Sequence, residues 1–193
     1  MSMDDSSFEL PLRGDDRPGL DEVEDPEFLE EDDYPEDAAA DEIDLVIALY
    51  REEGQPVGLA LANELANDLD ALIKQLRRIP GDAGALGMVS IDSSVFVLVR
   101  VRGKKVQLFL SDWLAADDWP IARDVVDFVN EELPGEDDES EPFGDSEILA
   151  DVGLHDFDLE EIASEYDEDS VVLLKRIAKK IGFGPQYKKL ANL

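Results

Sequence analysis

The sequence predicts an α+β protein built on a five-stranded antiparallel sheet, with strands and helices in the order β-β-α-β-β-β-α. A small C-terminal helical module follows it, and a disordered acidic arm precedes it. Three observations support this. Two runs, 95–102 and 105–110, are rich in β-branched and apolar residues and are separated only by Gly103-Lys104, the two-residue hairpin signal. Two other stretches, 63–78 and 117–133, repeat apolar residues at helical spacing. The charge is also uneven: residues 1–42 carry 18 acids against 2 bases, whereas 43–133 carry 15 against 9. A chain of 193 residues that is 44% hydrophobic has room for one good domain and something small. The boundaries expected are an arm over 1–42, a sheet domain over 43–133, an acidic linker over 134–144 and a helical module over 145–193.

The arm contains Pro11, Pro18, Pro26 and Pro35 and shows no sustained period, the composition of a segment that cannot bury a core. Phe8, Leu10, Leu12, Phe28, Leu29 and Tyr34 are scattered in it, as short binding anchors or as part of an inert solubilising tail. The first strand spans 43–51, where Leu45, Ile47 and Leu49 alternate with Val46, Ala48 and Tyr50, so both faces are apolar. A turn over 52–56 leads to a short strand at 57–61, which Gly58 weakens; Pro56 suits only a strand start or an edge. The helix over 63–78 aligns Leu65, Leu69, Leu72, Ile73 and Leu76. Asn63 is placed to cap it, and Lys74, Arg77 and Arg78 complement its dipole before Pro80-Gly81 stops it.

A strand over 87–91 leads into the central hairpin. A Gly-X turn of type II′ fixes its register, with Arg102 facing Lys105, Val101 facing Val106, Val99 facing Leu108 and Val97 facing Leu110. Alternation then gives one dry face made of Val97, Val99, Val101, Val106, Leu108 and Leu110. The other face is split. Phe96, Leu98 and Phe109 lie far from the turn, and Arg100, Arg102 and Lys105 lie near it. A sheet apolar on both faces needs covering on both, and the helices before and after the hairpin are the expected covers. The second helix takes Asp117 or Asp118 as its cap and Pro120 in its first turn. Its inner stripe is Ile121, Val125, Phe128, Val129 and Glu132 or Leu133, and Pro134-Gly135 ends it. Trp113 and Trp119 sit at the strand-to-helix corner as packing anchors, or as hot spots of a binding surface.

In the C-terminal module, Ile148 and Leu149 open a short helix that ends near Gly153. Asp158-Leu159-Glu160-Glu161 has the capping-box form. Asp169 or Ser170 caps a helix over 171–181 with the stripe Val171, Leu174, Ile177, Ala178 and Ile181; Gly182 ends it and Pro185 forbids its continuation. The order of the sheet domain is similar to that of the longin and roadblock group. That likeness implies a fold and not an activity, and it makes a homodimer through a sheet edge or helix an expectation.

Charge and residue types exclude several classes of function. A net charge of −32 with a pI near 4.1 repels nucleic acid and anionic membranes and favours basic partners. The chain has no cysteine, which removes disulfides, cysteine nucleophiles and thiolate metal sites and fits a reducing cytoplasm. It has neither a basic-then-apolar leader nor an apolar run of about 18 residues, so a cytoplasmic location without a membrane is expected. His155, the sole histidine, reads as a surface or capping residue. The acid runs Asp137-Asp138-Glu139 and Asp167-Glu168-Asp169 lack the spacing and central glycine of a calcium loop. Nucleotide-binding glycine loops and hydrolase elbows are absent too, so no catalytic residue, cofactor or metal is expected.

Asp145-Ser146-Glu147-Ile148-Leu149-Ala150-Asp151-Val152-Gly153 and Leu174-Lys175-Arg176-Ile177-Ala178-Lys179-Lys180-Ile181-Gly182-Phe183, with the strand pairs around 95–111 and the acidic linker, resemble the actinobacterial tRNA adenosine deaminase-associated protein family. The likeness spans roughly 43–190. Its matching residues are core positions and helix stops, and no catalytic residue carries over. It implies association with the enzyme that converts wobble adenosine of tRNA to inosine, with tRNA reached only indirectly. The chain itself lacks the residues of a zinc deaminase, which needs H-x-E and P-C-x-x-C; here His155 is followed by Asp156-Phe157. The implied function is a non-enzymatic accessory protein that docks on the deaminase. A second reading is an acidic nucleic-acid mimic or regulatory adaptor for basic protein surfaces. A third is a tRNA-binding subunit. Its phosphate contacts would be Lys175, Arg176, Lys179 and Lys180, extended by Lys188 and Lys189, and Arg100, Arg102 and Lys105 at the hairpin tip. These cations also fit helix-dipole complementation and pairing with the chain's own acids.

Overall fold

Six antiparallel strands, in the order β2-β1-β3-β4-β5-β6, form one open sheet. They are β1 (Ile43–Glu52), β2 (Gln55–Ala60), β3 (Ala85–Ile91), β4 (Val95–Arg102), β5 (Lys105–Leu110) and β6 (Phe143–Gly144). This computed structural model describes residues 34–193. The arm expected over 1–42 therefore lies, as far as residue 33, outside the described residues, as do Phe8, Leu10, Leu12, Phe28 and Leu29. The hairpin register is the one the turn dictates, from Val97↔Leu110 to Arg102↔Lys105. Gly103 takes φ +60°, the positive value that the first central position of a type II′ turn demands.

The count of five strands is corrected to six. Phe143 and Gly144 fall inside the stretch read as linker, and a two-residue strand has no alternation to betray it. Tertiary contacts make it. The Phe143 ring stacks on Trp113 at 6.0 Å between centroids and 12° between planes. Gly144 pairs with Phe109 at φ +107°, where an added Cβ would lie 2.4 Å from the Leu108 carbonyl oxygen. Gly144→Ala is therefore expected to detach β6 and to destabilise by more than about 1 kcal/mol, read as an earlier urea midpoint. An unchanged midpoint would mean that β6 contributes nothing to stability.

Both faces of the sheet are covered, though not by the helices that flank the hairpin on opposite sides. α1 (Leu69–Arg77) and α2 (Pro120–Phe128) lie together on the face of Val46, Ala48, Val89, Val97, Val99, Val101, Leu108 and Leu110. The opposite face, with Leu45, Ile47, Leu49, Leu86, Met88, Phe96, Leu98 and Phe109, is covered by α3 (Asp156–Ala163), α4 (Ser170–Lys180) and α5 (Gly184–Ala191). Alternation requires two covers but does not say which helices supply them.

The helix ends differ locally from expectation. The stretch 63–78 is broken: a 3-10 turn at Asn63–Asn67 precedes α1, and Asp68, not Asn63, caps α1 by accepting the Ala71 N–H at 3.0 Å. The Asn67 side chain accepts from Ala38 N–H and donates to Ala38 O, which draws Asn67 out of helical register. Trp119 holds the cap position of α2 and no aspartate side chain caps it; Asp112 instead caps the preceding 3-10 turn, Trp113–Asp117. α2 ends at Phe128, so Phe128, Val129 and Leu133 are exposed and not part of an inner stripe. α3 starts at Asp156 with His155 at its cap position, two residues before the capping-box motif, and the His155 side chain makes no cap bond. Asp169 caps α4 by accepting Val171 N–H at 2.8 Å, and the Ser170 hydroxyl bonds that of Ser90 on β3 at 2.6 Å. Pro185 does forbid continuation of α4, but it also opens α5 from its first turn.

Candidate interaction surfaces

The cations singled out in the sequence fall into two groups with different surroundings. Alternation turns Arg100 toward the C-terminal helical layer, where it is only 5% exposed. Its Nη1 donates to the Ile148 carbonyl oxygen at 2.8 Å and to Asp151 Oδ1 at 2.5 Å, and its Nη2 donates to Asp151 Oδ2 at 3.0 Å. Arg102 Nη1 lies 3.5 Å from Asp151 Oδ2, and its Nη2 donates to Gln107 Oε1 at 3.0 Å. Gln107 in turn donates to Asp145 at 2.8 Å. Two of the three hairpin-tip cations thus pin the segment 145–151 to the sheet, and Lys105 alone is exposed. The Arg100 hydrogen bond, with the charges of Arg100 and Arg102, holds the Asp151 carboxyl below the usual carboxylate range, against partial burial that works the other way.

The C-terminal group stays in water. Arg176 pairs with Glu165 at 2.9 Å. Lys179 and Lys180, in the last turn of α4, and Lys188 and Lys189, in the last turn of α5, are exposed, while Lys175 is half-buried. Among the described residues none of these five lysines has a carboxylate within ion-pair distance. Nearby, Arg51 donates to the Ile181 carbonyl oxygen at 3.3 Å and lies over the Phe183 ring at 4.9 Å. The sequence held no sign of that contact, since Arg51 is 130 residues from Ile181.

Both tryptophans are half-buried. Trp113 stacks on Phe143, and its Nε1 donates to the Glu139 carbonyl oxygen at 3.1 Å, which ties the acidic connector to the sheet edge. Trp119 packs against the core between the sheet, α1 and α2. Burial pushes the Tyr166 hydroxyl up to about 12, with Asp112 and Glu141 adding to the shift. Burial also raises Tyr187, whose hydroxyl donates to the Val171 carbonyl oxygen at 2.6 Å. Among the described residues no three His, Cys, Asp or Glu side chains gather as a metal site, and no helix is long and apolar enough to cross a membrane.

The Rv3753c-like tRNA adenosine deaminase-associated protein family matches residues 44–184. The chain belongs to this family. It is also 34% identical over 143 residues to Protein Rv3753c of Mycobacterium tuberculosis, covering 72% of this chain and 83% of that protein. No solved structure matches. The resemblance carried by 145–153 and 174–183 is thereby borne out. The family span runs from β1 to the first residue of α5, so it takes in both covered faces of the sheet, the Arg100–Asp151 pair, both tryptophans and Lys175 to Lys180. Lys188 and Lys189 lie beyond it. The family is named for association with a deaminase and not as a deaminase.

Proposed function

We propose that this chain is a cytoplasmic, non-enzymatic accessory protein that docks on tRNA adenosine deaminase. Family membership over 44–184 carries the reading. Residue chemistry supports it: without a cysteine the chain cannot supply the thiolate ligands of the zinc deaminases. Charge supports the mode of binding. An enzyme that grips tRNA presents cations to phosphate, and a chain with 49 acids against 17 bases is attracted to such a surface at long range. The test is co-purification with the same organism's deaminase, with wobble deamination rates measured with and without this chain at two salt concentrations. The expected result is a complex that weakens with salt, weakens further on deletion of residues 1–42, and alters the rate. A salt-insensitive complex that survives the deletion removes the electrostatic mechanism; no complex and no rate change removes the reading.

One observation favours a second reading, a direct tRNA contact through the C-terminal helices: their five lysines have no acidic partner among the described residues. Reversing Lys179 and Lys180 to Glu is then expected to lower tRNA affinity and flatten its salt dependence by about one unit of slope per charge. Unchanged affinity and slope would remove this reading.

A further inference from the structure

Beside the free end of the β5–β6 edge lies an open groove of about 610 Å³. Val106, Leu108, Phe128, Val129, Pro142 and Phe143 form its apolar lining, Glu131 and Asp145 its charged lining, and no lysine or arginine lines it. Phe128, the last residue of α2, is 53% exposed and Val129, its C-terminal cap, 39%, whereas the other apolar residues of α2 are buried. α2 stops at Phe128, and Asn130 follows at the left-handed φ of 64°. The connector from α2 to β6 borders the groove at both ends and carries seven acids and no base between 131 and 141. Backbone polarity adds a third feature. Ser111 N–H bonds Phe96 O, and Leu108 O accepts from Asp145 N–H. Alternation therefore points the N–H and C=O of Val106 outward, past the end of the two-residue β6.

We propose that this groove is the docking site for a basic, extended protein segment of the associated deaminase, one apolar side chain seated against Phe128 and its lysines or arginines meeting Glu131, Asp145 and the connector. The inference rests on the docking function above. Charge complementarity selects the occupant. A second copy of this chain that met the groove with its own groove, as in a two-fold dimer, would bring acids to an acidic rim, and nucleic acid would bring phosphates; a basic peptide gains both the apolar contact and the ion pairs. The outward Val106 groups offer the segment a main-chain anchor of the strand-addition kind.

The experiment is titration of the full chain with the same organism's tRNA adenosine deaminase, using the wild type, Phe128→Ser, Glu131→Lys and Phe157→Ser. Phe157 is 73% exposed on α3 and serves as the control for a lone surface aromatic. Phe128→Ser is expected to weaken binding by about tenfold or more. Glu131→Lys is expected to weaken it several-fold with a shallower salt dependence, and Phe157→Ser to leave it within about twofold. Exposure of Phe128 and Glu131 keeps folding out of the comparison, which a urea curve on each variant checks. Wild-type binding with Phe128→Ser equal to wild type overturns the groove and leaves the docking function standing. No wild-type binding overturns both. A wild-type dimer that Phe128→Ser dissociates assigns the groove to a second copy and overturns the proposed occupant.

Discussion

A chain cut after Glu141 is expected not to fold. The cut removes β6 and α3 to α5, and so uncovers Leu45, Ile47, Leu49, Leu86, Met88, Phe96, Leu98 and Phe109, each no more than 7% exposed in the whole chain. Burying a side chain of this kind contributes about 1.5–3 kcal/mol, an upper bound because the unfolded chain already hides some apolar surface. Eight such losses amount to at most about 12–24 kcal/mol, which matches or exceeds the roughly 5–15 kcal/mol that holds an ordinary domain together. Arg100 would at the same time lose Ile148 O and Asp151 and stand as an unpaired cation on an apolar face. Insoluble product, or a soluble product without a sigmoidal urea transition, is the expected outcome. A soluble monomer with a cooperative transition would instead establish residues 145–193 as a separable module, the division that the acidic stretch at 134–144 suggests in the sequence.

That contrast shows where the sequence is legible. The hairpin is readable because one glycine sets the turn, the turn sets the register, and a period of two then sorts every side chain to a face. The requirement for two covering layers is readable in the same way, since Leu45 and Val46 cannot both face one core. Which helices supply them is a tertiary outcome that no local pattern encodes. β6 escapes because two residues have no period, and α5 escapes because Pro185 reads equally as a stop for one helix and a start for the next. Asn63 and Asp68 are both chemically fit to cap a helix, and the bond between Asn67 and Ala38, 29 residues apart, helps favour Asp68. For the interaction surfaces, the cations were visible as charges, but their pairing was not. Arg100 looks no more buried than Lys105 until Asp151, 51 residues away, is placed beside it. Phe128 is likewise a core residue by spacing and a surface residue by where α2 stops.

The second large effect belongs to that pair. Removing one partner of a buried ion pair leaves the other charge uncompensated and costs about 3–5 kcal/mol, whereas fully exposed pairs contribute about 0–1 kcal/mol. The pair here lies between these limits, because the Arg100 side chain is 6% exposed and that of Asp151 is 49% exposed. Water can reach the half-exposed carboxylate position but not most of the buried guanidinium, so Asp151→Ala is expected to cost about 2–3 kcal/mol. Arg100→Leu added to Asp151→Ala removes the buried charge and places an aliphatic group on an apolar face, and it should recover most of that loss. Acid provides an independent check. The Asp151 carboxyl is held below its ordinary value near 3.8, so its contribution is complete above that value and disappears as pH falls through the lowered folded-state value. The stability gap between wild type and Asp151→Ala should therefore be constant around neutral pH and close in strong acid, while the difference between Asp151→Ala and the double variant, which both lack this carboxyl, should not change from this cause. Urea titrations of the three proteins across that range decide it. A gap below about 0.5 kcal/mol at neutral pH, unchanged in acid, would mean that the Ile148 carbonyl and water satisfy Arg100 without Asp151. The segment 145–153 would then be held to the sheet by Asp145, through Gln107 and the Leu108 carbonyl oxygen, and by Ile148 and Leu149.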